Sequence, residues 1–278
     1  MKALLIKIIE KAYQQIEAAK DRRRKHIREL EIDLILKVFY FLYGEGLKNV
    51  DLRILEFGCG DGFQIPYLQR LGKVIASDIY LSEHIKESKV DDFLECNISQ
   101  APFRDKQFNI IFSNGVIQSI NDLDEAFAEL KRIGKPECMY IFAVPTNVWL
   151  LLSLPAQYYN KLRSICKVFL ERSLNMRFDL NRSVAKTQEQ EKSRIFNLGF
   201  LFFPCGLGAF PDFIGCFRSF KISKWCKLFY DNGFLIIKTQ PLFLYGASDF
   251  PIIPATKLLN NLDICSSVLF IMKKTKEI

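Results

Sequence analysis

The chain has 278 residues, 49% of them apolar and 25% charged, with a formal net charge of +8. That length buries one sizeable core and little more, so a single domain with additions is expected rather than two independent domains. Eight cysteines without a C-x-x-C pair, and only His26 and His84 as imidazoles, exclude a disulfide scaffold and a histidine-built metal site; the thiols read as small reduced hydrophobes of a cytoplasmic protein.

At the N-terminus Lys2 precedes a short apolar run that Lys7, Glu10 and Lys11 interrupt, so no signal peptide is expected. Residues 1–49 predict an N-terminal helical segment of two helices. The first carries Leu4, Ile8 and Ile16; the second carries Leu30, Ile32, Leu34, Ile35 and the run from Val38 to Leu42. Between them, Arg22 to Lys25 form a cationic patch. Such a patch attracts phosphate, whether of nucleic acid, nucleotide-linked substrate or lipid headgroup, or it is simply a solvated helix face.

Ile54 to Gly62 form an apolar strand with a carboxylate, Glu56, running into Gly58, Cys59, Gly60 and Gly62. Glycines at alternate positions permit a sharp turn and a close ligand approach. A pyrophosphate-binding loop requires G-x-G-x-x-G, and its third glycine position is occupied by Phe63. The G-x-G-x-G form with Glu56 just ahead resembles the first motif of class I S-adenosylmethionine-dependent methyltransferases. That resemblance covers roughly residues 50–145 and 220–273, and it implies that residues 1–49, ahead of the first strand, form an N-terminal helical lid over the cofactor.

The later segments fit the same pattern. Lys73–Asp78 predicts a second strand, and the resemblance implies that Asp78, with Ile79 beside it, receives the ribose hydroxyls; a helix N-cap is the structural alternative for Asp78. In Phe93–Ile98 the resemblance places Asn97 and Ile98 at the adenine, with Asn97 standing where relatives commonly carry aspartate. Phe108–Asn114 predicts the fourth strand, with Asn114 beneath the methionine moiety and Asn109 structural. A stripe of Leu123, Phe127, Leu130 and Ile133 predicts a helix ending at a Gly134 cap. Lys135–Glu137 is expected to turn into strand Cys138–Val144. Residues 50–144 are therefore expected to be the cofactor-binding core. Residues 224–278 complete the sheet with a helix from Lys224, a Gly233 cap, a strand at Leu235–Lys238 and a terminal strand at Ser266–Met272. The expected fold is α/β: a Rossmann-like, doubly wound, mostly parallel seven-stranded sheet, with N-terminal helices and a helical and loop cap insertion.

Residues 145–223 exceed what the plain fold needs and carry most of the positive charge, interleaved with Trp149, Tyr158, Tyr159 and a phenylalanine-rich run from Phe196 to Phe217. They are expected to be a basic, aromatic cap over the acceptor site, either packed down or touching an anionic membrane surface. Residues 138–160 lack charge, but Pro145 and Pro155 are expected to break any spanning helix.

The function expected is methyl transfer from S-adenosyl-L-methionine. Asp212 is the candidate general base, with a turn residue after proline as its alternative reading; Gln118 and Ser119 stand where relatives often carry a Glu-His pair and provide no strong base. Asn114-Gly-Val116 lacks the motif of nucleic-acid amino methylation, so nucleic acid is disfavoured. Pro145–Trp149, the glycine-proline loop, Trp225 and Leu242–Gly246 loosely resemble enzymes associated with bacterial surface-polysaccharide synthesis. The acceptor expected is thus a small or lipid-linked saccharide, with an isoprenoid or quinone-like lipid as alternative. A non-catalytic cofactor- or membrane-binding scaffold and an NAD-linked oxidoreductase are the competing classes.

Overall fold

A computed structural model of the chain describes residues 2–43, 51–80, 82, 85, 92–174, 205–207, 209–246 and 264–275. His84, the phenylalanines between 196 and 203, and residues 175–204 and 208 of the insertion lie outside the described residues.

Helix α1 spans Lys2–Tyr43 as one element of 42 residues, not the two helices expected. Its sequence holds no glycine or proline, and Arg22 to Lys25 are good helix formers, so nothing in the charged run breaks the backbone. Strands β1 (Arg53–Phe57), β2 (Lys73–Asp78), β3 (Phe93–Glu95), β4 (Phe108–Asn114) and β5 (Gly134–Pro145) are followed by β8 (Phe234–Pro241) and β9 (Ser267–Lys274) in one sheet. Its order is β3-β2-β1-β4-β5-β9-β8. The pairs among β1 to β5 are parallel, whereas β9 runs antiparallel to both β5 and β8. The order reverses between β1 and β4, the place where ligands bind on open α/β sheets.

Strand alternation separates two cores. On one face Ile54, Ile110, Phe112, Met139, Ile141, Leu269 and Ile271 pack under Ile32, Ile35, Leu36, Val38 and Phe39 of α1. On the other, Leu55, Phe57, Ile111, Tyr140, Phe142 and Phe270 meet helices α3 (Leu123–Ile133) and α6 (Ile222–Asp231); a single-turn helix α2 (Ile65–Leu68) follows the glycine loop. Phe142 sits edge-on to Phe57 at 5.7 Å between centroids, and Tyr140 edge-on to Phe234 at 5.0 Å.

Two turn expectations change. Gly134 does end α3, but with φ −76°, so left-handed geometry is not why glycine is there. A Cβ at this position would lie 2.3 Å from the Tyr140 hydroxyl, so the requirement is space. Lys135–Glu137 belong to β5 rather than to a turn. They are accommodated by a bulge, since the register with β4 jumps from Phe108↔Gly134 to Ile110↔Met139.

Of the insertion, the structure describes helix α4 (Asn147–Leu174), a hairpin of β6 (Cys205–Leu207) and β7 (Phe210–Asp212), and helix α5 (Phe213–Ser219). Helix α4 passes through Pro155 instead of breaking there. Pro155 is exposed while Leu150, Ser153 and Ala156 are buried around it, and this packing outweighs the roughly 3 kcal/mol that an interior proline costs. Among the described residues, no helix is long and apolar enough to cross a membrane.

Candidate active site

The apolar pattern of β1 carries Glu56 to its penultimate position, where the side chain is only 2% exposed. Beyond it Gly58, Gly60 and Gly62 adopt φ of 68°, 56° and 72°. Gly58 and Cys59 both donate backbone N–H groups to Ser77 O, at 2.7 and 3.1 Å. Gly60 N donates to Asp78 Oδ2 at 2.8 Å. The loop is thus stitched to the end of β2, and Asp78 serves it as an acceptor rather than capping a helix. Each carboxylate oxygen takes more than one donor, so Asp78 retains capacity for hydroxyls. A Cβ on Gly60 would meet nothing within 4 Å, so that side of the loop is open.

Burial pushes the Glu56 carboxyl up to about 8; the positive charge of Arg28 opposes this and Asp78 adds to it. Its Oε2 is buried without a hydrogen-bond partner among the described residues, an arrangement that costs stability unless a ligand donates to it. Burial and the negative charge of Glu56 also push the Cys59 thiol above its ordinary range. The sign of the Glu56 effect is testable. Between about 4.5 and 8 the group is protonated in the fold and ionised in the unfolded chain, so stability falls as pH rises through that window. Glu56→Gln is expected to flatten this slope in urea melts from pH 5 to 8; an unchanged slope would place the titration elsewhere.

The other expected cofactor residues fall at the same strand ends. Ile79 is 54% exposed beside Asp78, and Ile98 is 7% exposed and packed inward. Asn97 is exposed and caps the short 3-10 turn Ile98–Gln100, its Oδ1 accepting from Ser99 N at 3.1 Å. Asn109 is structural as expected: its Oδ1 accepts from Arg53 N and Lys135 Nζ at 3.1 and 2.9 Å. Asp212 takes the structural reading. It is exposed and caps α5, its Oδ1 accepting from Gly215 N at 2.6 Å.

A cleft of about 320 Å³ opens beside this cradle, lined by Asn114, Gly115 and Gln118 after β4, by Ala143, Val144 and Pro145 ending β5, and by Arg24, Ile27 and Arg28 of α1. Trp149, Tyr245, Gly246 and Ser267 complete it. Gln118 donates to Gly115 O at 2.6 Å and leaves its buried Oε1 without a partner among the described residues. Behind the wall lies Glu31, fully buried. It accepts from the Tyr245 hydroxyl at 2.6 Å and from Ser267 Oγ and Asn114 Nδ2 at 3.2 Å, with Arg28 Nη1 at 3.7 Å. Burial and the adjacent Glu31 charge hold the Tyr245 phenol well above its ordinary range.

Sequence reasoning singled out Asn114 but missed Arg28, Glu31 and Ser267. Arg24, Arg28 and Glu31 are spaced for one helix face, and a glutamate inside the apolar run from Leu30 to Leu36 was the available signal. The fold brings Glu56, the glycines, Asp78 and Asn114 to one edge of the sheet; Asp212 is not among the residues that line the cleft.

The glycine-loop geometry, the orphaned Glu56 oxygen and the acceptor at the end of β2 suit a ligand carrying both a cation and ribose hydroxyls. Residues 55–142 match the methyltransferase domain family. Malonyl-[acyl-carrier protein] O-methyltransferases are similar over about a third of the chain: that of Yersinia pestis is 31% identical over 102 residues, 35% of this chain and 38% of that protein. That of Serratia marcescens is 31% identical over 106 residues, covering 37% and 42%. The mouse mitochondrial arginine-hydroxylase NDUFAF5 is 29% identical over 97 residues, covering 32% and 28%. The chain thus matches less than half the length of these relatives. Among solved structures, the Burkholderia thailandensis 1,6-didemethyltoxoflavin-N1-methyltransferase superposes with TM-score 0.51 at 11% identity, covering 95% of this chain and 87% of that one. The CurJ carbon methyltransferase gives 0.50 at 13%, covering 88% and 54%. The expected link to surface-polysaccharide enzymes finds no support among these relatives. Residues 55–142 thus match the methyltransferase domain family and lie in a sheet of class I methyltransferase architecture, with a loop and strand-end acids suited to S-adenosylmethionine.

Proposed function

We propose that the protein transfers a methyl group from S-adenosylmethionine to an oxygen of a small or carrier-linked acceptor seated in the cleft between α1 and the ends of β4 and β5. The observation that carries this reading is that Asn114 and Gly115 floor the cleft one strand away from the glycine loop, so cofactor and acceptor sites share a boundary. When bound, the cofactor supplies a sulfonium methyl group for in-line displacement. The protein's part is alignment and exclusion of water: Gly58 to Gly62, Glu56 and Asp78 hold the cofactor, while Trp149, Gln118 and Tyr245 wall the acceptor.

The nature of the acceptor oxygen follows from what the wall offers. The cleft lining contains no Asp, Glu, His or Lys among the described residues. Glu31 behind it is already engaged by three hydrogen-bond donors and an ion pair with Arg28, and Tyr245 holds its proton firmly. With no strong base at hand, a carboxylate oxygen, ionised at neutral pH, is favoured over the saccharide hydroxyl expected from the sequence. The names of the malonyl-carrier relatives point the same way, although their match spans about a third of the chain and the family match over residues 55–142 does not include Arg24, Arg28, Trp149 or Tyr245.

Incubation with S-adenosylmethionine labelled in the methyl group, offering malonyl-carrier-protein thioester, free dicarboxylates and a panel of nucleotide- and lipid-linked saccharides, tests the reading. Base-labile methyl ester on an acid is the expected product. Label found only on a saccharide, or none on any acceptor with cofactor demonstrably bound, would overturn it.

A further inference from the structure

The geometry points to an anion subsite on α1, in which Arg24 and Arg28 bind a carboxylate or phosphate of the acceptor and so select an acidic substrate. This rests on the cleft being the acceptor's. Four consecutive cations, Arg22 to Lys25, look equivalent in sequence, but only Arg24 among them lines the cleft. Arg28 follows one helical turn later on the same face, with Ile27 buried between them.

The two arginines differ in what already neutralises them. Arg28 is 30% exposed and lies 3.7 Å from the buried Glu31 carboxylate, which is shared with three other donors. Arg24 is exposed and makes no ion pair among the described residues. With no acid in the lining, the cleft carries uncompensated positive charge beside an apolar wall of Ile27, Val144 and Trp149. Desolvation by such a wall strengthens the attraction between a guanidinium and an oxyanion, and the planar guanidinium forms paired hydrogen bonds with carboxylate and phosphate alike. The orphaned Gln118 Oε1 supplies a second element: a buried acceptor in the same lining, suited to a donor group on the ligand. Its amide cannot repel the anion as a carboxylate would.

The test is calorimetric titration of the full chain, saturated with S-adenosylhomocysteine so that the cofactor's own carboxylate is already placed. The probes are malonate, inorganic phosphate and neutral malonamide. Malonate or phosphate is expected to bind, whichever binds more tightly identifying the anion, with at least tenfold loss in Arg24→Gln and a smaller loss in Arg24→Lys. Unchanged S-adenosylhomocysteine affinity in both variants shows that they are folded. Three results would overturn the subsite: malonamide binding as well as malonate, Arg24→Gln binding anions like the unmodified chain, or no anion binding. Anion binding that S-adenosylhomocysteine abolishes would also overturn it, by giving the arginines to the cofactor's carboxylate. If S-adenosylhomocysteine itself fails to bind, before any anion is added, the methyltransferase reading fails and this assignment falls with it.

Discussion

Gly60→Ala is expected to fold normally and yet bind S-adenosylmethionine at least tenfold more weakly, whereas Gly58→Ala is expected to damage the fold itself. Both residues have positive φ, 56° and 68°, so each substitution costs about 1–2 kcal/mol of backbone strain. The difference lies in what the new Cβ meets. At Gly60 it enters open space beside the loop, the volume that the proposed site gives to the cofactor. At Gly58 it would lie 2.2 Å from Val116 Cγ2 and 2.9 Å from Val116 Cβ. A β-branched side chain has little freedom to withdraw, which adds about 1–3 kcal/mol of overpacking. Urea melts separate the two stabilities and calorimetry the affinities. Undiminished cofactor binding in Gly60→Ala would mean that the open side of the loop does not receive the cofactor.

The second large effect is expected at Glu31. Replacement by alanine leaves Arg28, Asn114 and the Tyr245 hydroxyl facing a buried vacancy, and removing one partner of a buried ionic network costs about 3–5 kcal/mol. The loss should concentrate on α1, because Glu31 ties that helix to Asn114 on β4 and to Ser267 on β9. Amide exchange is therefore expected to accelerate in α1 more than in β1 or β4. Glu31→Gln keeps one acceptor oxygen and should lose less. Because the group is buried, its contribution should persist in 1 M salt. A melt indistinguishable from that of the unmodified chain would show that the network contributes nothing to docking α1.

The same helix shows how far the sequence is legible. The apolar run through Leu36 and Phe39 announces a buried helix face, since burial against a sheet needs only a stripe of such residues. The charged run before it says nothing of direction. Whether Arg22, Arg24 or Lys25 faces the cleft depends on α1 continuing unbroken and on the rotation at which Ile32 and Ile35 settle on the sheet. Glu31 and Tyr245 are 214 residues apart, and no local pattern links them. Asp212 shows a different limit: a carboxylate after proline in an insertion suggests chemistry, and only the fold reveals that it caps α5, accepting from Gly215 N.

By itself, the sequence determined the strands, the glycine loop and the acids at their ends. These depend on local steric and solvation preferences, on two-residue alternation and on glycine's freedom at positive φ. The tertiary structure alone decided that the cleft is walled by α1, that Arg24 and Arg28 turn into it, and that Glu31 fastens the wall from behind. Those facts arise from long-range packing, where the phase of a docked helix selects which of several equivalent charges meets the site.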